Sequence, residues 1–408
     1  MKKLLIIGYV WPEPGSSAAG RHMLEIMQLF IEASWAVTFA SPAAESTHQY
    51  KLSELGVQEA TIELNNASFD DWLKPLNPDV VIFDRFMMEE QFGWRVAQAC
   101  PDAMRILDTE DLHFLRLARQ AAFKRQSKIS ADDLDTETSL REIASIYRCD
   151  LSLIISETEL ELLVNSFGVD RQLLHYLPFL YKQPAMTAKG FGQRKDFVFV
   201  GTMRHPPNLE AVRYLKNLIW PLIRLQLPSA NLHIVGSYLT KEVSQMHKPA
   251  EGFHVAGKVE QLGELLNDMR VSLAPLKFGA GLKGKLLESM EHGLPSVSTT
   301  IGAEGICADL EWPGFVADKD QAFADSAVEL YQNESRWQQA QQQGFVVLQT
   351  RFSKEHHKRD FFMRLQALLG ALSQHRKSNF IGRMLQHQSM RSTEYMARWI
   401  ECKNSNRV

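Results

Sequence analysis

The chain has 408 residues, with 45 Lys plus Arg against 48 Asp plus Glu and a formal net charge of −3. That near-balance excludes a protein that coats nucleic acid through bulk charge. With 45% hydrophobic and 23% charged residues, a wholly disordered chain is excluded too.

The N-terminal apolar run, Leu4 to Val10, is short and is followed by Trp11-Pro12-Glu13-Pro14 without a small-residue cleavage pattern. It reads as a buried first strand rather than a signal peptide. Short apolar runs then alternate with amphipathic stretches. Strands are expected at Lys3–Gly8, Ala36–Ala40, Asp79–Phe83, Ala103–Leu107 and Leu151–Ile155. A second series is expected at Phe197–Val200, Asn231–Val235, Gly252–Val255, Val271–Pro275 and Ser296–Thr299, with helices such as Gly20–Ile31 and Asn208–Leu225 between strands. Alternation of this kind implies parallel sheets covered by helices on both faces. The expected fold class is α/β, with two tandem Rossmann-like domains and a cleft between them. The boundaries are an N-terminal domain 1–182, a linker 183–196 carrying Pro184, Gly190 and Gly192, and a C-terminal domain 197–353. A closing helix 354–372 and a tail 373–408 follow.

The tail holds seven Lys or Arg and two Glu, a net +5, which leaves −8 for the rest. Phe380, Ile381, Met384, Leu385, Tyr395, Met396, Trp399 and Ile400 interleave with those charges. The pattern reads first as a helix packed on the protein's own surface or a frayed end, and second as a basic amphipathic helix on an anionic membrane surface. No window approaches the ~18 uninterrupted apolar residues of a membrane span. Cys100, Cys149, Cys307 and Cys402 form no CxxC or Cys/His cluster, so reduced thiols in a cytoplasmic protein are expected, with peripheral membrane contact through the tail.

The stretch VSLAPLKFGAGLKGKLLESMEHGLPSVSTT, from Val271 to Thr300, carries the most chemistry. A strand ends near Pro275, a loop follows with Gly279, Gly281 and Gly284, and a helix starts near Leu282–Lys283. Ligands of open α/β sheets bind at this carboxyl edge. Glycines admit close backbone approach, the helix start favours an anion, and Lys283 and Lys285 add positive charge. A phosphate or diphosphate is the expected guest. Glu288 lies opposite the apolar stripe of Leu286, Leu287 and Met290. It is placed either to reach sugar hydroxyls or to face solvent.

Other candidates sit at predicted strand ends. Gly15-Ser16-Ser17-Ala18-Ala19-Gly20, followed by Arg21, is a small-residue loop suited to a diphosphate, or a flexible connector. Asp108-Thr109-Glu110-Asp111-Leu112-His113 offers carboxylates and an imidazole for an acceptor hydroxyl, or a helix cap by Asp108 or Thr109. Arg204 and His205 follow another strand and either meet phosphate or face solvent. Arg116, Arg119, Lys124, Arg125 and Lys128 read as a solvated helix face. Asp133-x-Asp135 and Asp318-x-Asp320 have metal-site spacing without a buried strand before them. No metal and no cofactor is expected.

FGAGLKGKLLESMEHGLPSVSTTIGAEGI resembles the donor-site motif of family 4 glycosyltransferases, the retaining GT-B group. FVGTMRHPPNLEAVRYL, NLHIVGS, FHVAGKVEQLGELLNDMRVSLAPL, DLSLIISETELELL and LHYLPF resemble further segments in order. The likeness covers about residues 1–370, is strongest in the second half and leaves out the tail. It implies a metal-independent transfer of a sugar from a nucleotide-diphosphate donor to a hydroxyl of a bacterial surface glycan or lipid-linked saccharide. Donor binding by Arg204, Gly279, Ala280, Gly281, Leu282, Lys283, Lys285 and Glu288 follows, with Glu288 on the ribose. Lys283 and His113 are the catalytic candidates. The loop Gly15, Ser16, Ser17, Gly20 and Arg21 faces the cleft in the resembled fold. Many members carry two glutamates in the donor motif, and the first falls here at Ala280, which leaves the donor sugar open. A nucleotide-sugar epimerase or hydrolase and a catalytically silent GT-B scaffold are the rival expectations.

Overall fold

A computed structural model describes residues 1–182 and 188–405, the side chains of 388–391 excepted. Residues 183–187 of the expected linker, Pro184 among them, lie outside the described residues.

Two parallel sheets form the frame. The first contains β1 (Lys3–Ile7), β2 (Ala36–Ser41), β3 (Gln58–Thr61), β4 (Val80–Asp84), β5 (Met104–Asp108), β6 (Leu151–Ile154) and β7 (Leu174–Tyr176) in the spatial order β3-β2-β1-β4-β5-β6-β7. The second contains β8 (Lys195–Val200), β9 (Leu232–Val235), β10 (Phe253–Gly257), β11 (Met269–Ala274), β12 (Ser296–Ser298) and β13 (Gly314–Val316) in the order β10-β9-β8-β11-β12-β13. Strand order reverses between β1 and β4, and again between β8 and β11, which opens a crevice at each carboxyl edge.

All ten expected strands are present within one to two residues. The three that were not expected, β3, β7 and β13, are the outermost strands or short ones. β3 reads Gln58-Glu59-Ala60-Thr61 and carries no apolar run to betray it. β8 begins at Lys195, inside the expected linker, because Asp196 accepts from Asn231 N at 3.0 Å and extends the pairing.

Period-two alternation sends neighbouring strand residues to opposite faces. Leu5, Ile7, Val81, Phe83 and Leu107 pack under one layer of helices, while Leu4, Ile6, Ile82, Ile106 and Leu153 pack under the other. The second layer includes Phe361, Leu365 and Leu368 of the helix Lys354–Gly370. The closing helix therefore covers the N-terminal sheet, and the chain returns to its first domain. The tail follows it there as the helices Leu372–Ser378 and Phe380–Ser405. Asn379 Nδ2 donates to Tyr147 O at 2.8 Å, Gln386 Nε2 to Arg148 O at 2.8 Å, and Arg95 bonds both Asp70 and Glu401. The tail is docked on the protein's own surface, yet Phe380, Ile381, Met384, Tyr395, Met396 and Trp399 stay exposed. Among the described residues no helix is long and apolar enough to cross a membrane.

The domains share a small core. Ile155, Phe179 and Tyr181 pack with Leu282, Leu286, Leu287, Met290 and Phe352. Gly284 makes this approach possible: a Cβ there would meet Ala18 Cβ at 2.8 Å and Phe179 Cζ at 3.2 Å. Gly284→Ala is expected to push the helix Gly284–Glu291 away from the helix Ala18–Glu32, at about 1–3 kcal/mol for overpacking. Thermal denaturation measures the cost, and small-angle scattering reports a wider cleft; an unchanged midpoint with an unchanged scattering profile would refute the contact.

Candidate active site

The donor loop leaves β11 at Ala274 and ends where Lys283 starts the helix Gly284–Glu291. Gly281 takes φ of +62°, and a Cβ there would meet Asp111 Cβ at 2.9 Å, so glycine is needed on both counts. Gly281 N donates to Glu159 Oε1 at 2.7 Å. Gly279 O accepts from Arg119 at 2.8 Å. Lys283 Nζ turns back onto Gly281 O at 2.8 Å, and Lys285 Nζ donates to Asn208 Oδ1 at 2.5 Å, above the Phe199 ring. Burial depresses both ammonium groups, Lys283 to about 8 and Lys285 to about 7, the latter with help from the charge on Lys283. Two buried amines this near neutrality favour an incoming diphosphate.

Glu288 departs from its expected exposed position. It is half-buried, and burial raises its carboxyl while Arg21 pulls the other way. The reason is the nearby first helix: Arg21 donates to Glu25 and to Glu291, each at 3.0 Å, and lies 4.6 Å from the Tyr181 ring centre. Ala280 is partly buried against the N-terminal core, and Leu282 belongs to the core between domains.

The N-terminal half of the site is built on the loop after β5. Asp111 lies 3.2 Å from Arg116 and 3.5 Å from His113 Nε2. Burial opposes its ionisation, but Arg116, His113 and His205 hold its carboxyl below the usual range. His113 is pushed down to about 4 by burial and is neutral at pH 7. His205 is pushed down to about 4 as well, by burial and Arg116. The helix His113–Lys124 is not capped by Asp108 or Thr109. Its first N–H groups, from His113 and Phe114, donate to the buried Glu142 at 3.0 and 2.7 Å. Arg119 is not on a solvated face either. It forks onto Glu304 at 2.6 and 2.7 Å and joins the first domain to the donor loop.

The small-residue loop faces the second domain. Ser17 Oγ caps the first helix through Gly20 N at 3.0 Å, and Ser16 O accepts from Ser237 Oγ at 3.5 Å. Gly15 has open space where a Cβ would be. Tyr238 OH donates to Glu13 at 2.8 Å, and the exposed Arg204 lies 3.6 Å above the Tyr238 ring. Arg204 thus stands on the rim of the cleft, while Lys283 and Lys285 lie within it.

Two features had weaker sequence signals. Glu159, 1% exposed, accepts from Leu112 N at 3.2 Å as well as from Gly281 N. It lies one turn before the buried Leu163, and a carboxylate on an apolar stripe was its signal. His22 is equally buried on the stripe of Ile26 and Leu29. Its Nδ1 lies 3.9 Å from Asp108 and 3.8 Å from Glu110. Burial lowers its basicity, but Glu110 and Asp108 raise it to about 9, so a proton completes this trio. Among the described residues, His22, Asp108 and Glu110 are the one group with ligand atoms close enough to hold a metal ion. Asp133 is tied to Ser130 and Arg125, Asp318 to Thr300 and Asp320 to Tyr214.

Residues 194–333 match the family model described as glycosyl transferases group 1. A protein from Klebsiella pneumoniae, described as an uncharacterized 44.6 kDa protein in the cps region, is 24% identical over 167 residues. That match covers 39% of this chain and 43% of the relative, so it spans less than half of the relative's length. TarM from S. aureus, in complex with Fondaparinux, alpha-GlcNAc-glycerol and UDP, is structurally similar with a TM-score of 0.69 at 10% identity, over 90% of this chain and 100% of that one. HepE from Anabaena, in complex with UDP and glucose, gives a TM-score of 0.68 at 12% identity over 90% and 100%. Residues 194–333 are thus similar to the group 1 glycosyl transferases, and the chain shares the two-sheet GT-B architecture of these structures.

Glu159→Ala strands the Leu112 and Gly281 amides without a partner, about 1–3 kcal/mol for each buried group. A clear drop in thermal midpoint is expected, while Glu159→Gln, whose amide oxygen still accepts, should lose much less. Equal losses in the two variants would show that the carboxylate's charge, not its two bonds, is what matters.

Proposed function

We propose that this protein transfers a sugar from a nucleotide diphosphate to a hydroxyl of a bacterial surface glycan or lipid-linked saccharide. The observation that carries this reading is the pair Lys283 and Lys285 at the carboxyl edge, where the order of the second sheet reverses. Burial has brought both amines near neutrality, and a leaving diphosphate would restore their charge. Glu288 takes the ribose hydroxyls. The second domain holds the donor; the first brings the acceptor to Asp111 and His113.

The neutral His113 imidazole can accept a hydrogen bond from the acceptor hydroxyl at pH 7. Closure over the cleft would exclude water and hold the acceptor against the anomeric carbon. Retention of configuration follows from the family likeness, through attack on the face that the leaving group vacates. The Ala280 and Leu282 N–H groups take the place of the missing glutamate, the Gly281 N–H being held by Glu159. The structural neighbours that hold UDP, with a sugar or a glycan, support this reading. So does the relative from a cps region. The basic tail, with its apolar face exposed, would hold the enzyme peripherally at an anionic membrane surface.

Calorimetric titration of UDP and uridine, or of the pair for the true base, tests the donor site. Lys283→Ala is expected to weaken the diphosphate by about 1–3 kcal/mol and the nucleoside little. Glu288→Gln should weaken both by a similar amount. Unchanged affinities in both variants would remove the donor from residues 279–288.

Binding should also be linked to protons. Lys285 sits at about 7 and Lys283 at about 8 in the free protein, so at pH 8 most of Lys285 is neutral. A bound diphosphate raises both, so binding at pH 8 takes up protons and weakens as pH rises further. Titrations in buffers of different ionisation enthalpy measure the uptake; none at pH 8 would contradict the assignment.

Because the lysines neutralise the diphosphate, transfer is expected to survive EDTA. Full loss restored by Mn²⁺ or Mg²⁺ would move attention to His22, Asp108 and Glu110. Product analysis with donor alone separates transfer from donor hydrolysis or epimerisation.

A further inference from the structure

A second polar cavity lies at the opposite end of the N-terminal sheet from the cleft. It measures about 480 Å³ and is a half-open hollow between the starts of β5 and β6 and the two tail helices. Five basic side chains line it, Arg105, Arg148, Arg376, Lys377 and Arg383, against Asp102 and Asp150.

The charges are not all spoken for. Asp150 accepts from Arg376 Nε at 2.8 Å, from Arg376 Nη2 at 2.7 Å and from Arg105 N at 2.8 Å, so most of its acceptor capacity is taken. Arg148 is committed to Glu89 at 3.0 Å. Arg105 is different. It is 6% exposed, its Nε has no hydrogen-bond partner, and Asp150 is 3.9 Å from that atom. Among the described residues no hydrogen bond leaves its guanidinium. A buried guanidinium with its fork open towards a cavity is costly to keep empty. Lys377 and Arg383 reach the same space from the tail, and neither has an ion pair among the described residues. The sequence already marked the tail as basic, and the fold brings that charge over Arg105, whose buried Nε has only the 3.9 Å approach of Asp150.

We propose that this cavity is a phosphate-binding site, with Arg105 as its fixed fork and Lys377 and Arg383 as its movable cations. The ligand class is a phosphomonoester or diphosphate group, for which the planar Arg105 fork and two ammonium or guanidinium partners are suited. Phe380, Ile381 and Met384 stand exposed on the same tail helix that carries Arg383. A lipid headgroup is therefore one source of that phosphate, and a soluble phosphorylated metabolite is the other. The site is independent of glycosyl transfer, since it shares no residue with the cleft.

The test uses the full chain carrying Lys283→Ala, which weakens the diphosphate site of the cleft. Pyrophosphate is titrated calorimetrically into this background, with and without Lys377→Ala and Arg383→Ala. Both tail positions bear no buried contact, so the thermal midpoint should stay put. Saturable binding that weakens about tenfold or more in the tail variants is expected. Affinity that the tail variants leave unchanged, or no saturable binding at all, would overturn the proposal. Co-sedimentation with phosphatidylcholine vesicles, with and without phosphatidic acid, then names the source. Capture that needs phosphatidic acid and is lost in Arg383→Ala assigns a lipid headgroup; pyrophosphate binding without vesicle capture assigns a soluble ligand. Vesicle capture that persists in the tail variants would leave the membrane contact standing and refute the cavity as its headgroup site.

Discussion

The geometry of the cleft rests on one buried carboxylate. Glu159 accepts the Leu112 amide of the loop after β5 and the Gly281 amide of the donor loop. One side chain from the first domain thus sets the position of a loop from each. Its surroundings oppose ionisation: burial and the nearby Asp111 raise it to about 7. Two backbone donors on one oxygen are what make the anion tolerable there. If the donor loop moved off Glu159, it would leave a charged or half-protonated carboxyl facing an open cleft, and Asp111, Arg116 and His113 would lose their opposite wall. Arg119 repeats the arrangement from the other side, through Gly279 O and Glu304. The two bridges flank the donor loop, so its backbone N–H groups are held before any ligand arrives.

The second consequence is electrostatic. The walls of the cleft separate charge by domain. The second domain supplies Lys283 and Lys285, and the first supplies Asp111 with the Asp84, Asp108 and Glu110 carboxylates behind it. The deeper acids are restrained: His22 stays protonated beside Asp108 and Glu110, and Arg85 lies 3.1 Å from Asp84. Burial and the neighbouring Glu110 raise Asp108 to about 8, so this floor of the N-terminal sheet carries less negative charge than three acids would give. Arg85 and Glu110, which follow β4 and β5 at this floor, both take positive φ, 70° and 60°, which is uncommon for such residues.

Much of this was legible in the chain. Buried parallel strands announce themselves as apolar runs, and the ten found that way include every strand beside the two crevices. The glycine-rich loop after β11 was legible because three glycines and two lysines stand together before an amphipathic helix. Glu288 was read as more exposed than it is. Helical periodicity placed it opposite its own apolar stripe, but the first helix of the other domain lies over that face. Glu159, Arg119 and Glu142 were beyond a reading of local pattern, since each acts on backbone groups far away in sequence: Glu142 on residues 113 and 114, Glu159 on 281, and Arg119 on 279. Polar residues on apolar stripes were the only local sign of two of them.

The return of the C-terminal helices adds a constraint on how the domains can move. The chain passes from the first domain to the second after Tyr181 and comes back at Ser353. These two passages are not separate: Tyr181 N donates to Phe352 O at 2.8 Å and Lys354 N to Tyr181 O at 2.9 Å, a parallel bridge between the outgoing and returning chain. Both covalent connections therefore run through one place. There Tyr181, Phe179 and Phe352 are packed in the shared core, so a relative rotation of the domains would pivot on this crossing. The donor loop, Glu159 and Arg119 lie on the side that such a rotation opens or closes. Arg21 stands between the two regions, stacked on Tyr181 near the pivot and bonded to Glu291 at the end of the donor-loop helix. A single guanidinium thus links the hinge to the helix that carries Lys285 and Glu288, so opening the cleft must break or rotate that link.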